Sequence, residues 1–133
     1  MNEVCHLIGS YVILGLHSNH LVLKSNNMIK NFLIKNNIFT LIVKPSFGCS
    51  TKNIYSKKKK FKKAEFNHPV KSMFHLDFLK RMDNDLERIA LIKYPKLSSL
   101  KKFLEKLSKV EFVRMTGSGS AIIAYFKSYK MCK

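Results

Sequence analysis

The stretch of this 133-residue chain with the most capacity for chemistry is Thr116-Gly117-Ser118-Gly119-Ser120. Glycine leaves backbone amides uncovered and serine adds hydroxyls, a composition suited to close approach by phosphate oxygens. The same residues also suit a plain hairpin turn with glycines at positive φ, and by themselves they do not decide between the two. Other candidates offer less. His17 and His20 stand three apart, as on one helix face, but no second ligand pair accompanies them, so no metal site is expected. Cys5, Cys49 and Cys132 are odd in number, widely spaced and in no Cys-x-x-Cys pair. That pattern argues against a disulfide framework or a structural zinc and fits a reduced cytoplasm.

The formal net charge of +17 directs attention to nucleic acid or an anionic membrane. The excess is lysine, however, with arginine only at positions 81, 88 and 114, whereas reading of bases and planar phosphate recognition favour the guanidinium fork. Lysine, asparagine and isoleucine share A/T-rich codons, so a biased genome produces such basicity without a nucleic-acid role. The run Lys57 to Lys60, continued by Lys62 and Lys63, repels itself and reads as a solvated connection. A basic module that binds nucleic acid without sequence preference stays open as the rival reading. No run of about 18 apolar residues could span a bilayer, and no secretory signal opens the chain, so no membrane partner is expected.

Elements must position the glycine-serine run. His20 to Lys24 and Asn31 to Lys35 are strand candidates, with Asn26 and Asn27 supplying the turn of a hairpin. Ile38 to Val43 is a β-branched and aromatic strand ended by Lys44-Pro45. After a loop, Ser50 or Thr51 can cap a short helix through Ile54 and Tyr55. The acidic cluster Asp83-Asn84-Asp85 can cap a helix from Leu86 to Tyr94, favoured by the helix dipole. Pro95 interrupts that helix and suits the first turn of the next, whose apolar face is Leu97, Leu100, Phe103, Leu104 and Leu107. Glu111 to Met115 and Ala121 to Phe126 are strands on either side of the glycine-serine run. With 46% hydrophobic residues the chain should bury one real core, as an α+β fold in two layers, helices on a mostly antiparallel sheet.

Four segments in order resemble one family. Ile8-Gly9-Ser10-Tyr11-Val12 resembles the Gly-Ala/Ser-Asp-Val segment of the GHMP kinases that phosphorylate 4-diphosphocytidyl-2-C-methyl-D-erythritol. Leu41 to Thr51, followed by Tyr55, is similar to their strand, Pro/Gly loop and Ser-Thr helix start. Asn84-Asp85-Leu86-Glu87 with Tyr94-Pro95 is similar to their Asn-Asp-Leu-Glu helix, and Arg114 to Ser120 to the third GHMP signature. The resemblance covers nearly the whole chain.

It implies a GHMP kinase C-terminal domain at residues 38–133, preceded at 1–37 by a remnant of the N-terminal kinase domain. It implies transfer of the γ-phosphoryl group of ATP, accompanied by magnesium, to the 2-hydroxyl of the cytidyl-linked methylerythritol in non-mevalonate isoprenoid synthesis. Thr51 is implied to contact the methylerythritol, and Gly117, Ser118, Gly119 and Ser120 to line the phosphate end of the cleft. Tyr11 stands where the family carries its catalytic aspartate, and a phenol of pKa about 10 is no substitute for that carboxylate at neutral pH. The family's nucleotide cradle and cytidine pocket precede the segments matched here. The implied polypeptide is therefore a C-terminal half that is inactive alone, unless a separate chain supplies the N-terminal half.

Overall fold

The computed structural model describes residues 14–15, 17–24, 28–35, 37–62 and 68–132. The chain divides into two compact units, Met1–Asn36 with Lys63–Phe78, and Asn37–Lys62 with Leu79–Lys133.

In the first unit β1 (His20–Leu23) and β2 (Ile29–Phe32) pair antiparallel with His20 opposite Phe32 and Val22 opposite Lys30. The second strand of this hairpin ends at Phe32 rather than running on to Lys35, and Phe32 is its buried residue. Its ring meets Phe74 at 5.2 Å, while the next residue, Leu33, is 79% exposed. Phe74 closes a 3-10 turn, Lys71–Phe74, and also takes the edge of His20 at 5.2 Å. His20 thus serves the packing of a small aromatic cluster. The expected turn residues Asn26 and Asn27 lie outside the described residues.

The second unit holds a three-stranded antiparallel sheet of order β3 (Phe39–Val43), β5 (Ile122–Phe126), β4 (Phe112–Met115). Alternation sends Val113, Met115, Ile122, Ala124 and Phe126 to one face, where all are buried. Helix α1 (Thr51–Tyr55) adds Ile54 to that core, α3 (Glu87–Lys93) adds Ala90, and α4 (Pro95–Glu105) adds Leu97 and Leu104. The short α5 (Tyr129–Cys132) packs on β3 and β5. Between α1 and α3, α2 (Leu76–Arg81) carries the chain from one unit into the other. The architecture is α+β, with helices layered on one face of an antiparallel sheet. Burial of a side chain such as Phe126 or Leu97 contributes about 1.5 to 3 kcal/mol, so this face stabilises the unit.

One helix start resolves an open choice and another departs from expectation. Ser50, not Thr51, caps α1, its hydroxyl accepting from the Asn53 amide at 3.4 Å, which leaves the Thr51 hydroxyl available elsewhere. The acidic cluster does not cap α3 through its carboxylates. Asp83 and Asp85 turn to Lys62 and Lys58, and it is the Asn84 carboxamide oxygen that accepts from the Leu86 amide at 3.0 Å.

Candidate functional site

The glycine-serine run connects β4 to β5, and its own backbone folds it: Thr116 N–H donates to Ala121 O and Gly119 N–H to Thr116 O, each at 3.0 Å. Gly117 (φ 54°) and Gly119 (φ 89°) are both in the left-handed region that side chains disfavour. They differ in their surroundings. Around Gly117 nothing would meet a Cβ, whereas at Gly119 a Cβ would lie 2.9 Å from Met115 Sδ and 3.0 Å from Cys49 Sγ. Gly119 is therefore the point where the loop is pressed onto the β3–α1 connection. The Cys49 thiol at this contact is free, and burial raises its pKa.

Side chains from distant parts of the sequence fasten the loop. Ser120, 4% exposed, donates its hydroxyl to Phe47 O at 2.7 Å. Thr51 Oγ1 and Ser118 Oγ share a hydrogen bond of 2.9 Å. Asn84 Nδ2 donates to Met115 O and to Gly117 O, both at 2.8 Å. Glu87 Oε2 accepts from the Met115 amide at 2.8 Å, and its other oxygen pairs with Lys101, which also reaches Glu105 at 3.4 Å. Burial lowers the Lys101 pKa, but the hydrogen bond and charge of Glu87, with help from Glu105, outweigh it and leave the ammonium raised. Tyr94, at the break between α3 and α4, accepts from the Ser50 amide at 3.1 Å and stacks on Phe47.

The chemical outcome is a loop whose entry carbonyls are spoken for. Those of Met115, Thr116 and Gly117 all accept hydrogen bonds, while the amides of Gly117, Ser118 and Ser120 donate to no backbone carbonyl among the described residues. Unclaimed amides beside glycines at positive φ form a concavity suited to an anion. Thr51 and Ser118 add hydroxyls whose bond to each other is exposed and open to exchange.

An open groove of about 740 Å³ runs along β4 and is lined by two acid–base clusters. One holds Lys101 and Glu87. In the other, Lys62 Nζ meets Asp83 at 2.8 Å, and Asp85 accepts from the Lys62 amide at 3.0 Å with Lys58 Nζ 3.5 Å away. Hydrogen bonding from Lys62 lowers the pKa of both aspartates. Among the described residues no three His, Cys, Asp or Glu side chains group as a metal site. No helix among them is long and apolar enough to cross a membrane.

Of the residues singled out from sequence, Thr51, Gly117, Ser118, Gly119 and Ser120 come together in this one place. Tyr11 lies outside the described residues. Asn84, Glu87 and Tyr94 read in the sequence as a helix cap and a family-like helix segment, with no role at the glycine loop. Their signal was the recurrence of Asn-Asp-Leu-Glu and Tyr-Pro in a fixed order, which marks a segment without revealing what it holds.

Comparison with known proteins supplies relatives. The chain is 50% identical over 131 residues, 98% of its length, to a 4-diphosphocytidyl-2-C-methyl-D-erythritol kinase of Pelagibacter ubique, of which it covers 47%. It is 35% identical over 104 residues, 74% of its length, to a protein of the same name from Clostridium botulinum strain Hall, of which the match covers 36%. The chain thus spans about half or less of the relatives it matches. No family model matches it, and no solved structure does.

Proposed function

We propose, for a chain that belongs to the 4-diphosphocytidyl-2-C-methyl-D-erythritol kinase family and covers 47% of a relative's length, that it forms one wall of a phosphoryl-transfer cleft. The reaction is phosphorylation of the 2-hydroxyl of 4-diphosphocytidyl-2-C-methyl-D-erythritol by ATP, a cytoplasmic step of isoprenoid synthesis. The observation that carries this reading is the convergence on one glycine loop of three of the four family-like segments, held by bonds between residues up to 73 positions apart.

Phosphoryl transfer asks of a protein mainly placement and electrostatic stabilisation. In this reading the Gly117 and Ser118 amides donate to phosphate oxygens, and the Thr51 hydroxyl leaves Ser118 to donate to the methylerythritol part of the substrate. The loop fits a phosphate in that its Gly117 and Ser118 amides donate to no backbone carbonyl among the described residues and nothing stands within 4 Å of a Cβ at Gly117. When bound, magnesium neutralises charge on the ATP phosphates. Tyr11 offers no carboxylate to orient or deprotonate the acceptor hydroxyl. The lysines behind a nucleic-acid reading are in part engaged locally, Lys58 with Asp85 and Lys62 with Asp83.

Two measurements test the proposal. The purified 133-residue polypeptide should release no ADP above a no-enzyme control from ATP and the cytidyl substrate, and Tyr11→Asp should not restore release. Turnover by the polypeptide alone would sink the one-wall reading. Titration with inorganic pyrophosphate should move the amide resonances of Gly117 and Ser118 before others. Unmoved loop resonances would remove the phosphate role.

A further inference from the structure

We infer that Asn84 is the positioning residue of the glycine loop. It sits just ahead of α3, and every polar group of its side chain is committed. Both Nδ2 bonds go to carbonyls of the β4–loop junction, Met115 and Gly117, at 2.8 Å, and Oδ1 accepts from the Leu86 amide at 3.0 Å. Three residues on, Glu87 accepts from the Met115 amide at 2.8 Å. Met115 ends β4, an edge strand of the sheet, and pairs with Ile122 on β5. Its outward N–H and C=O are thus gripped by two side chains from the start of one helix. A planar head with two donors and an acceptor meets this demand, and among residues of its size only asparagine has one.

The same bonds bear on the loop's chemistry. Carbonyl oxygens left loose in a glycine loop repel an anion. Met115 O and Gly117 O are tied to Asn84 and Thr116 O to Gly119, so the three carbonyls leading up to the unclaimed Gly117 and Ser118 amides are engaged. This purpose rests on the phosphate reading proposed above, whereas the positioning itself does not.

Two variants of the full chain test it, read by amide hydrogen exchange. Asn84→Asp keeps size and the acceptor for Leu86 but points a carboxylate at two carbonyls, and Asn84→Ala removes all three bonds. A residue valued for packing would tolerate the isosteric aspartate better than alanine. A positioning donor demands the reverse at about pH 8, with protection of the Thr116 and Gly119 amides falling roughly tenfold in alanine and further in aspartate, while Ala124 stays protected. At about pH 5 the facing carbonyls favour the protonated acid, which regains one donor, so the aspartate variant should recover toward alanine or beyond. The charged groups that share the groove with position 84 are Asp83, Asp85 and Glu87 with Lys58, Lys62, Lys80, Arg88 and Lys101, together with Arg114 on β4. Their effect is removed by repeating the pH series on the parent chain. Should aspartate fold poorly, alanine alone decides: unchanged loop protection overturns the inference, as does aspartate milder than alanine at the higher pH. Loss of pyrophosphate shifts in the parent chain would count against the phosphate reading only.

Discussion

The two acid–base clusters on either side of Asn84 use the same residue types to opposite effect. On the outer side the Lys62–Asp83 pair has side chains 55% and 70% exposed, so water and salt screen it and either partner can relax into solvent. On the inner side Lys101 and Glu87 are only 19% and 13% exposed, and Glu87 is committed at both oxygens, to Lys101 and to the Met115 amide. There the alternative to the pair is a carboxylate held away from water with a single hydrogen bond. The contrast teaches that in a chain so rich in lysine, what a charge does depends on what its partner holds. The outer pair tethers a surface segment, and the inner one anchors the strand that leads into the glycine loop.

Breaking the inner cluster should produce the largest effect. Lys101→Met leaves Glu87 half-buried without a cation, at an expected cost of about 2 to 3 kcal/mol, seen as an earlier midpoint in urea unfolding. A variant as stable as the parent would make the inner cluster no different from the outer. The Lys101 pKa is raised in the fold, so its contribution is fully present below the unfolded value of 10.5 and is lost as pH rises through the folded one. The parent chain should therefore lose stability in alkali above that point more steeply than the Lys101 variant.

The loop itself ranks next, and its two strained glycines sharpen the comparison. Gly119→Ala combines a positive φ with a Cβ pressed on Met115 and Cys49, and should cost about 2 kcal/mol. Gly117→Ala pays only for its backbone, about 1 kcal/mol, since no atom stands within 4 Å. Equal costs in thermal melts would mean that the Gly119 contact yields without resistance.

Smallest is the outer cluster. Lys62→Ala should leave the urea midpoint unmoved at about 0.15 M salt. Because the pKa values of Asp83 and Asp85 are lowered below 3.8, what they contribute is present above that value and disappears only as pH falls through the folded ones. Any small stability difference between parent and Lys62→Ala therefore belongs to pH above about 4 and should close in an acid titration as pH falls below it. A large separation at neutral pH would show that the exposed pair carries more than surface chemistry.

Much of this molecule is set by short-range pattern. Runs of β-branched and aromatic residues mark β3 and β5, and Pro95 with Leu97, Leu100 and Leu104 dictates α4, whereas which face of each strand is buried appears only in the packed sheet. The glycine-serine run is bound to turn, since positive φ at Gly117 and Gly119 costs glycine little. Long-range pairing is another matter. Whether Ser50 or Thr51 caps α1, and whether Asp83, Asn84 or Asp85 serves α3, are choices among residues of equal local aptitude. They were settled by Ser118 reaching Thr51, by Met115 and Gly117 reaching Asn84, and by lysines drawing off both aspartates. A hydrogen bond between positions 31 or 67 residues apart leaves no trace in either neighbourhood, because its partner arrives only when the sheet and helices have packed.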